Sequence, residues 1–185
     1  MNNESNRRIT LTKKMLKDAL VELLNEKEIS QITVRELCEV ADINRSTFYA
    51  HYKDQFDLLD SIEEDILDNS KKFLKNISFN EIPTKIIEYF LIYIKENGQL
   101  FKVLLCKQES SLFKEKIIKI IISQLQNFMK IDVNENLIPY VYAFLLNGCI
   151  AIIVNWINFS FDLTPKQITD LFVSLGEKTK QIKIN

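Results

Sequence analysis

Polar side chains that can donate hydrogen bonds are concentrated between Arg45 and Lys53. Arg45 can donate two hydrogen bonds to the edge of a guanine, and Thr47 can hydrogen-bond a base or touch a thymine methyl group. Tyr49 and His51 can donate to phosphate oxygens, and Lys53 adds a charge that phosphates attract. This set predicts contacts with double-stranded DNA. The alternative is that Arg45 and Lys53 are solvated surface charges and Tyr49 is a half-buried packing residue.

The first of two helices that must position these side chains is predicted to begin near Val34. Thr33, followed three residues later by Glu36, forms a capping box that satisfies backbone N–H groups at the start of a helix. The apolar residues that follow lie on one stripe facing a core: Val34, Leu37, Cys38 and Ala41.

A tight turn and a second short helix are predicted next. Asp42-Ile43-Asn44 makes the turn, because Asp tolerates a left-handed conformation and Asn is a strong N-cap. The second helix begins at Arg45, and Phe48 and Tyr52, four residues apart, anchor its inner side. Its outer side is then left for the polar residues and suits a major groove.

Other chemistries find no support in the sequence. His51 is the only histidine, so no metal site can be assembled around it, and nucleophile–base pairs and glycine-rich phosphate loops are absent. The three cysteines have no C-x-x-C spacing and are expected to be core residues in a reducing cytoplasm: Cys38, Cys106 and Cys149. We therefore expect neither an enzyme nor a bound cofactor or metal.

The overall charge is nearly balanced, but its distribution favours DNA near the N-terminus. The chain has 24 Lys plus Arg against 25 Asp plus Glu, a net charge of -1. From Ser5 to Lys17 there is no acidic residue, and the basic ones are Arg7, Arg8, Lys13, Lys14 and Lys17. This segment can reach the phosphate backbone or a minor groove. The alternative is a solvated N-terminus, which we prefer for Met1 to Ser5.

From about Arg8 to Leu67 the chain resembles the N-terminal DNA-binding domain of the tetracycline-repressor (TetR) family of bacterial regulators. The resemblance lies in R-R-I-T-L-T-K-K-M-L, I-T-V-R-E-L-C-E-V-A and I-N-R-S-T-F-Y-A-H-Y-K-D-Q-F-D-L-L. The third segment is the most specific, because the family pattern there is close to v-s-x-x-t-l-Y-x-H-F-x-x-K-e-x-L. The resemblance implies base contacts for Arg45, Ser46 and Thr47, and phosphate contacts for Thr33, Asn44, Tyr49 and His51.

Two residues depart from the family pattern. Asp42 stands where the family often has glycine, which is tolerable for the turn but slightly strained. Gln55 stands where the family usually has lysine, one residue past the expected helix cap Asp54. The start of that helix can still hold a phosphate through its backbone N–H groups. One charge contact is missing, however, so we expect a lower affinity for DNA.

After Asp54 the sequence predicts helices throughout. A long amphipathic helix begins there, and Pro83 can open another that ends at Asn97-Gly98, an adequate C-cap. Thr164-Pro165-Lys166-Gln167 opens the last helix with a capping box, and the helices between are expected at about 99–106, 109–130 and 135–159. We predict an all-α fold of about nine helices, with a DNA-binding helix-turn-helix domain over 1–53 and a ligand-binding and dimerisation domain over 54–185.

The segment from Ile138 to Phe161 has no charged residue over 24 positions, which is long enough to cross a membrane. Asn147, Asn155 and Asn158 make it a poor lipid-facing helix, so we expect no membrane contact.

The resemblance implies that the last two helices pair with those of a second copy. Candidates for this interface are Cys149, Ile153, Trp156, Ile157, Ile168, Leu171, Phe172 and Leu175; the alternative is a core within one protomer.

The middle helices are expected to hold a regulatory site. Apolar cavities with a few polar groups are usual for small ligands, and the candidate lining residues are Phe90, Tyr93, Phe101, Leu105, Phe113, Tyr140 and Phe144. The alternative is a packed core. The hypothesis is that an unidentified small-molecule effector favours a dimer whose two reading helices are wrongly spaced for DNA.

Together these features predict a dimeric one-component transcriptional regulator, a repressor that binds palindromic operator DNA and is released by a small ligand. No secretory signal is evident, so we expect a cytoplasmic location. The alternative is a TetR-like co-regulator that acts through protein–protein contacts without its own operator binding. The acidic balance and Gln55 leave room for this alternative.

Overall fold

The fold is all-α in a computed structural model that describes residues 2–76, 83–107, 113–117 and 135–180. Within these ranges the chain forms nine α-helical segments and no β-strand, which confirms the predicted fold class. Two compact units divide between Asn69 and Ser70, and we call them unit 1 and unit 2. The predicted domain boundary after residue 53 stays a prediction.

Unit 1 is built on three helices and the start of a fourth. They are α1 (Asn2–Leu24), α2 (Val34–Val40), α3 (Arg45–Tyr49) and α4 (Gln55–Asn76), with a 3-10 turn at Ile29–Gln31. α1 packs against α2, and α2 packs against α3. Each helix contributes to the buried core, including Leu16, Leu20, Leu37, Phe48, Leu58 and Ile62. Helices as short as α2 and α3 are unstable alone, so this shared burial maintains them.

The start of α4 is fixed by two aspartates. The Asp54 carboxylate accepts a hydrogen bond from the backbone N–H of Asp57 at 2.9 Å. The Asp57 carboxylate in turn accepts one from the backbone N–H of Lys53 at 2.9 Å. The two bonds satisfy N–H groups that have no partner within the helix and confirm the predicted cap at Asp54.

Unit 2 contains the helices that follow. They are α5 (Pro83–Glu96), α6 (Gly98–Lys102) with a π-helical continuation at Val103–Lys107, α7 (113–117), α8 (Ile138–Asn158) after a 3-10 turn at Glu135–Leu137, and α9 (Pro165–Lys180). α5 packs against α9, and α6 packs against α8. Of the helix predicted over 109–130, only 113–117 is described, and the rest lies outside the described residues.

α5 ends at Glu96, next to the predicted end at Asn97-Gly98, but Gly98 does not act as the C-cap. Gly98 does not adopt a positive φ and is the first residue of α6. A Cβ atom on Gly98 would lie 2.7 Å from Cε2 of Phe161, which is closer than packed atoms approach. Glycine is therefore needed because the Phe161 ring occupies the space that a side chain would take.

The Phe161 ring is held by the turn between α8 and α9. Ser160 and Phe161 have φ of 57° and 59°, a left-handed conformation that residues with side chains rarely adopt. The backbone N–H of Phe161 donates to the Trp156 carbonyl at 2.8 Å, and the two rings meet edge-on with centroids 4.9 Å apart. Trp156 Nε1 donates to the Leu163 carbonyl at 2.9 Å. These contacts hold the indole in place, and the edge-on contact with it restrains the Phe161 ring.

We expect Gly98→Ala to destabilise the protein by about 1–3 kcal/mol, because the added methyl group overlaps the Phe161 ring. Urea unfolding followed by the fluorescence of Trp156, the only tryptophan, measures the change. The proteins must be compared at one protomer concentration, because association adds to apparent stability.

Gly176→Ala in α9 is the matched control. A Cβ there has nothing within 4 Å, and alanine is the better helix former by about 0.5–1 kcal/mol. We expect this variant to be as stable as the wild type or more so. If both variants are equally stable, the Phe161 ring is not fixed against Gly98.

Candidate nucleic-acid interface

A side-chain network fixes the start of α2. Thr33 Oγ1 accepts a hydrogen bond from the Glu36 backbone N–H at 3.2 Å and donates to Glu36 Oε2 at 3.0 Å. The Thr33 backbone N–H donates to the same oxygen at 3.0 Å, and Lys27 pairs with Glu36 Oε1. The predicted capping box is confirmed. The ion pair between Lys27 and Glu36 was not predicted from the sequence. The two residues are nine positions apart, which is not a spacing that brings side chains together on one helix.

This network lowers the pKa of Glu36 from its ordinary value of 4.5 to about 2. The hydrogen bond from Lys27 contributes most, followed by those from the backbone and hydroxyl of Thr33. Glu36 is therefore ionised at neutral pH. Because the Thr33 hydroxyl proton is engaged with Glu36, the phosphate contact implied for Thr33 stays a prediction.

The turn between α2 and α3 has the predicted conformation. Asp42 has a φ of 51°, in the left-handed region that aspartate tolerates better than most residues. The backbone N–H of Ile43 donates to the Cys38 carbonyl at 2.9 Å. Asn44 Oδ1 accepts from the Ser46 backbone N–H at 3.0 Å, which confirms Asn44 as the N-cap of α3.

α3 has one buried and one exposed face. Phe48 is fully buried, and Tyr52, which lies three residues past the end of α3, is nearly so, with ring centroids 5.9 Å apart. Both rings are therefore buried as predicted, although Tyr52 follows the helix instead of belonging to it. Tyr49 is 59% exposed, and its ring lies edge-on to Phe48. It is therefore more exposed than a half-buried packing residue, which was the alternative for this position. Arg45, Ser46 and Lys53 are also exposed, while Thr47 and His51 are half-buried.

The segment from Arg45 to Lys53 presents several exposed hydrogen-bond donors. No acidic residue occurs from Asn44 to Lys53, and Arg45, Tyr49 and Lys53 all present hydrogen-bond donors. Phosphate oxygens and the O6 and N7 atoms of guanine are acceptors. The arrangement can therefore contact a duplex through base edges and phosphates together, as short recognition helices do.

Residues 81–178, more than half of the chain, match a TetR model described as "Transcriptional regulator C-terminal region". The chain belongs to the TetR family of transcriptional regulators. This match lies beyond the segment from Arg8 to Leu67 that carries the N-terminal resemblance, so the two observations are independent. This family consists of transcriptional regulators, which are not enzymes.

Individual TetR-like relatives agree with this assignment. The chain is 24% identical over 165 residues to the HTH-type transcriptional regulator YxbF of Bacillus subtilis (strain 168), covering 83% of this chain but 42% of the relative. It thus spans about two fifths of that relative's length. A TetR transcriptional regulator from Streptococcus agalactiae 2603V superposes with a TM-score of 0.69 at 24% identity, covering 93% of this chain and 97% of that one. The regulator FadR from Bacillus subtilis, in complex with stearoyl-CoA, gives a TM-score of 0.62 at 15% identity, with 90% and 98% covered. At these identities the likeness shows the TetR fold.

The residues predicted to line a TetR ligand site fall into two groups. Five lie in α5 to α7: Phe101, Leu105 and Phe113 are buried, and Phe90 and Tyr93 are half-buried. The Tyr93 and Phe101 rings meet edge-on with centroids 5.7 Å apart. Tyr140 and Phe144 on α8 are each 73% exposed. The structure corrects the prediction for these two, since side chains this exposed do not line an interior pocket.

The residues predicted to form a TetR dimer interface also divide. Four are 2–6% exposed and pack inside the protomer: Ile153, Trp156, Ile157 and Ile168. These four are corrected to core residues, because an interface side chain must reach the protomer surface. Leu171 and Leu175 are exposed, and Cys149 and Phe172 are half-buried, so these stay candidates. Both faces of α8 are apolar, so periodicity could not tell the core face from the surface face.

The lowered pKa of Glu36 predicts a specific loss of stability in acid. Because the pKa is about 2 in the folded state and near 4.5 in the unfolded chain, the stabilisation is complete above pH 4.5 and is lost as the pH falls towards 2. Melting temperatures of the wild type and Glu36→Gln, measured from pH 6 to pH 2.5, test this. Glutamine keeps the capping box but removes the charge.

We expect the wild type to melt higher than Glu36→Gln at pH 6 and the difference to shrink below pH 4.5. Glu39→Gln is the control, since Glu39 forms only an exposed pair with Arg35 at 2.7 Å. A difference between wild type and Glu36→Gln that is constant over the whole pH range would contradict the assignment.

Proposed function

We propose that this TetR-family regulator is a dimeric repressor that binds palindromic operator DNA and leaves it when a small ligand binds in unit 2. The observation that carries the proposal is the outer face of α3, where exposed donors stand on a helix fixed by Phe48 and by the Asn44 cap. Such a protein acts where the DNA is, so a cytoplasmic location is part of the proposal.

Electrostatics support a DNA-binding role for α1 as well. Its residues from Asn6 to Leu11 and from Lys13 to Met15 are exposed, and they include four basic side chains: Arg7, Arg8, Lys13 and Lys14. Basic side chains near a duplex contribute sequence-independent affinity through the release of counterions. A chain with a net charge of -1 can therefore still be attracted to DNA through this segment.

The surface of α8 supports dimerisation. The helix is long and apolar enough to cross a membrane by length and composition alone, and only 22% of its apolar stretch is buried within the protomer. Its exposed residues include a stripe in which positions recur every three or four residues, made of Tyr140, Phe144, Asn147, Ala151 and Asn155. The two amides in this stripe are poorly suited to lipid. We infer that the stripe is covered by a second copy of the chain.

Two copies also explain how α3 can be specific. A helix of five residues touches only a few base edges, whereas a two-fold dimer reads two half-sites about 34 Å apart. The specificity of the two half-sites is then combined in one complex, and the operator must be palindromic.

The effector is proposed to be a small molecule with an apolar part. The aromatic residues of α5 to α7 supply an apolar environment, and the half-buried Tyr93 among them carries a hydroxyl group. The complex of Bacillus subtilis FadR with stearoyl-CoA supports a ligand of this class. The effector would favour a dimer state in which the two α3 helices no longer match the half-site spacing.

Selection of bound duplexes from a random pool is expected to recover a palindrome. Arg45→Ala should then lower affinity for the selected duplex by about 1–3 kcal/mol and relax the preference for guanine at one position in each half-site. Fluorescence anisotropy at a fixed salt concentration measures both effects. Lys85→Ala, which removes an exposed charge on α5, is the control and should bind as the wild type does. Recovery of no motif would favour the co-regulator function instead.

Phe144→Arg is expected to convert the dimer to a monomer, because it places a charge in the centre of the proposed interface while changing an exposed position of the protomer. Sedimentation equilibrium gives the mass, and Trp156 fluorescence shows that the fold is kept. Leu11→Arg changes a comparably exposed apolar residue on α1 and should remain dimeric. A Phe144→Arg protein with the mass of the wild-type dimer would rule out this face of α8.

A further inference from the structure

Asn44 makes two hydrogen bonds to the same neighbour. Its Oδ1 atom accepts from the Ser46 backbone N–H at 3.0 Å and from the Ser46 hydroxyl at 3.2 Å. The N–H bond identifies this atom as the amide oxygen, since a donor must face an acceptor. An amide oxygen carries no proton, so Ser46 Oγ is the donor of the second bond.

The second bond directs the Ser46 proton towards Asn44. A serine hydroxyl has one proton and two lone pairs, and it normally can donate or accept. In this chain the proton is held on the side of Asn44, while the side chain is otherwise exposed on the outer face of α3. The part of Ser46 that a ligand can reach is therefore a hydrogen-bond acceptor.

We propose that Ser46 is a specificity-determining residue that reads an amino group in the major groove, the N4 of cytosine or the N6 of adenine. These are the donors that base pairs present there, whereas guanine O6 and N7 and thymine O4 are acceptors. A hydroxyl that can only accept rejects the keto edge, because two acceptors face each other without a proton between them. The inference rests on the proposed function, since it specifies how the operator is read.

Arg45, next to Ser46 in the chain, offers hydrogen-bond donors where Ser46 offers an acceptor. An arginine side chain has donors only, so it selects guanine O6 and N7. One G·C pair presents both edges at once, with acceptors on guanine and the N4 donor on cytosine. Adjacent residues of opposite polarity can thus read one G·C pair together, or a guanine and a neighbouring adenine.

Asn44 acts as a positioning residue, because it directs the proton of the Ser46 hydroxyl. Both lone pairs of Oδ1 are occupied by Ser46, so only the Nδ2 protons of Asn44 remain to contact a phosphate. Asn44→Asp keeps an oxygen in place for both bonds and removes those protons. Asn44→Ala removes the oxygen and frees the Ser46 hydroxyl to donate or accept. The two variants separate positioning of the proton from contact with the phosphate.

Selection from a random pool with the full-length wild type, followed by anisotropy on duplexes that differ at single positions, tests the inference. The wild type should prefer cytosine or adenine over guanine and thymine by roughly 3- to 10-fold at one position per half-site, the effect of one hydrogen bond. Ser46→Ala should lose this preference and keep the guanine preference of Arg45. Asn44→Ala should flatten the same position, and Asn44→Asp should restore it while binding all duplexes more weakly.

Three outcomes overturn the inference. A preference for guanine or thymine at the Ser46 position would show that the hydroxyl donates on DNA. An unchanged preference in Ser46→Ala would show that another residue reads the position. Equal base preferences in Asn44→Asp and Asn44→Ala would remove the role of the Asn44 oxygen. In all three cases a motif is still recovered, so the proposed function stands; a pool without any enriched motif would overturn both.

Discussion

Burial of the Phe48 ring is the contact on which the DNA-binding surface depends. α3 has only five residues, and helix formation has an unfavourable first turn that so short a segment cannot offset. Phe48 is fully buried and Tyr52 nearly so, and these two rings tie one face of α3 to the core of unit 1. The other face is then presented outwards without contributing to the core. The side chains on this outer face can therefore contact DNA without a loss of core packing.

The caps on α2 and α3 also stabilise these short helices, but they do so through polar groups. Glu36 joins Thr33 and Lys27 in one network, and Asn44 accepts from both the backbone N–H and the hydroxyl of Ser46. Each cap satisfies backbone N–H groups and, in doing so, directs a side-chain proton. A capping residue in a short recognition helix therefore determines more than where the helix begins. It also decides whether a neighbouring hydroxyl donates or accepts.

The local features of unit 1 could be predicted because they depend on residues close in sequence. Thr33 with Glu36, Asp42 in the turn and Asn44 before Arg45 are signals of helix starts and turns that short spacing specifies. Gly98 was misassigned because its requirement comes from Phe161, a residue distant in the chain. Ile153 and Trp156 were assigned to the wrong side of α8 because its two apolar faces give the same pattern. Lys27 was missed for the related reason that its partner lies across a turn.

Hydrogen–deuterium exchange of the full chain, with and without a selected duplex, tests directly whether the outer face of α3 contacts DNA. Contact with a duplex stabilises the segment it touches, and exchange reports the local opening of that segment. We expect the duplex to slow the exchange of the backbone amides from Asn44 to Lys53, with those of α5, from Pro83 to Glu96, as the internal reference. Tight binding of the duplex with unchanged exchange from Asn44 to Lys53 would contradict this expectation.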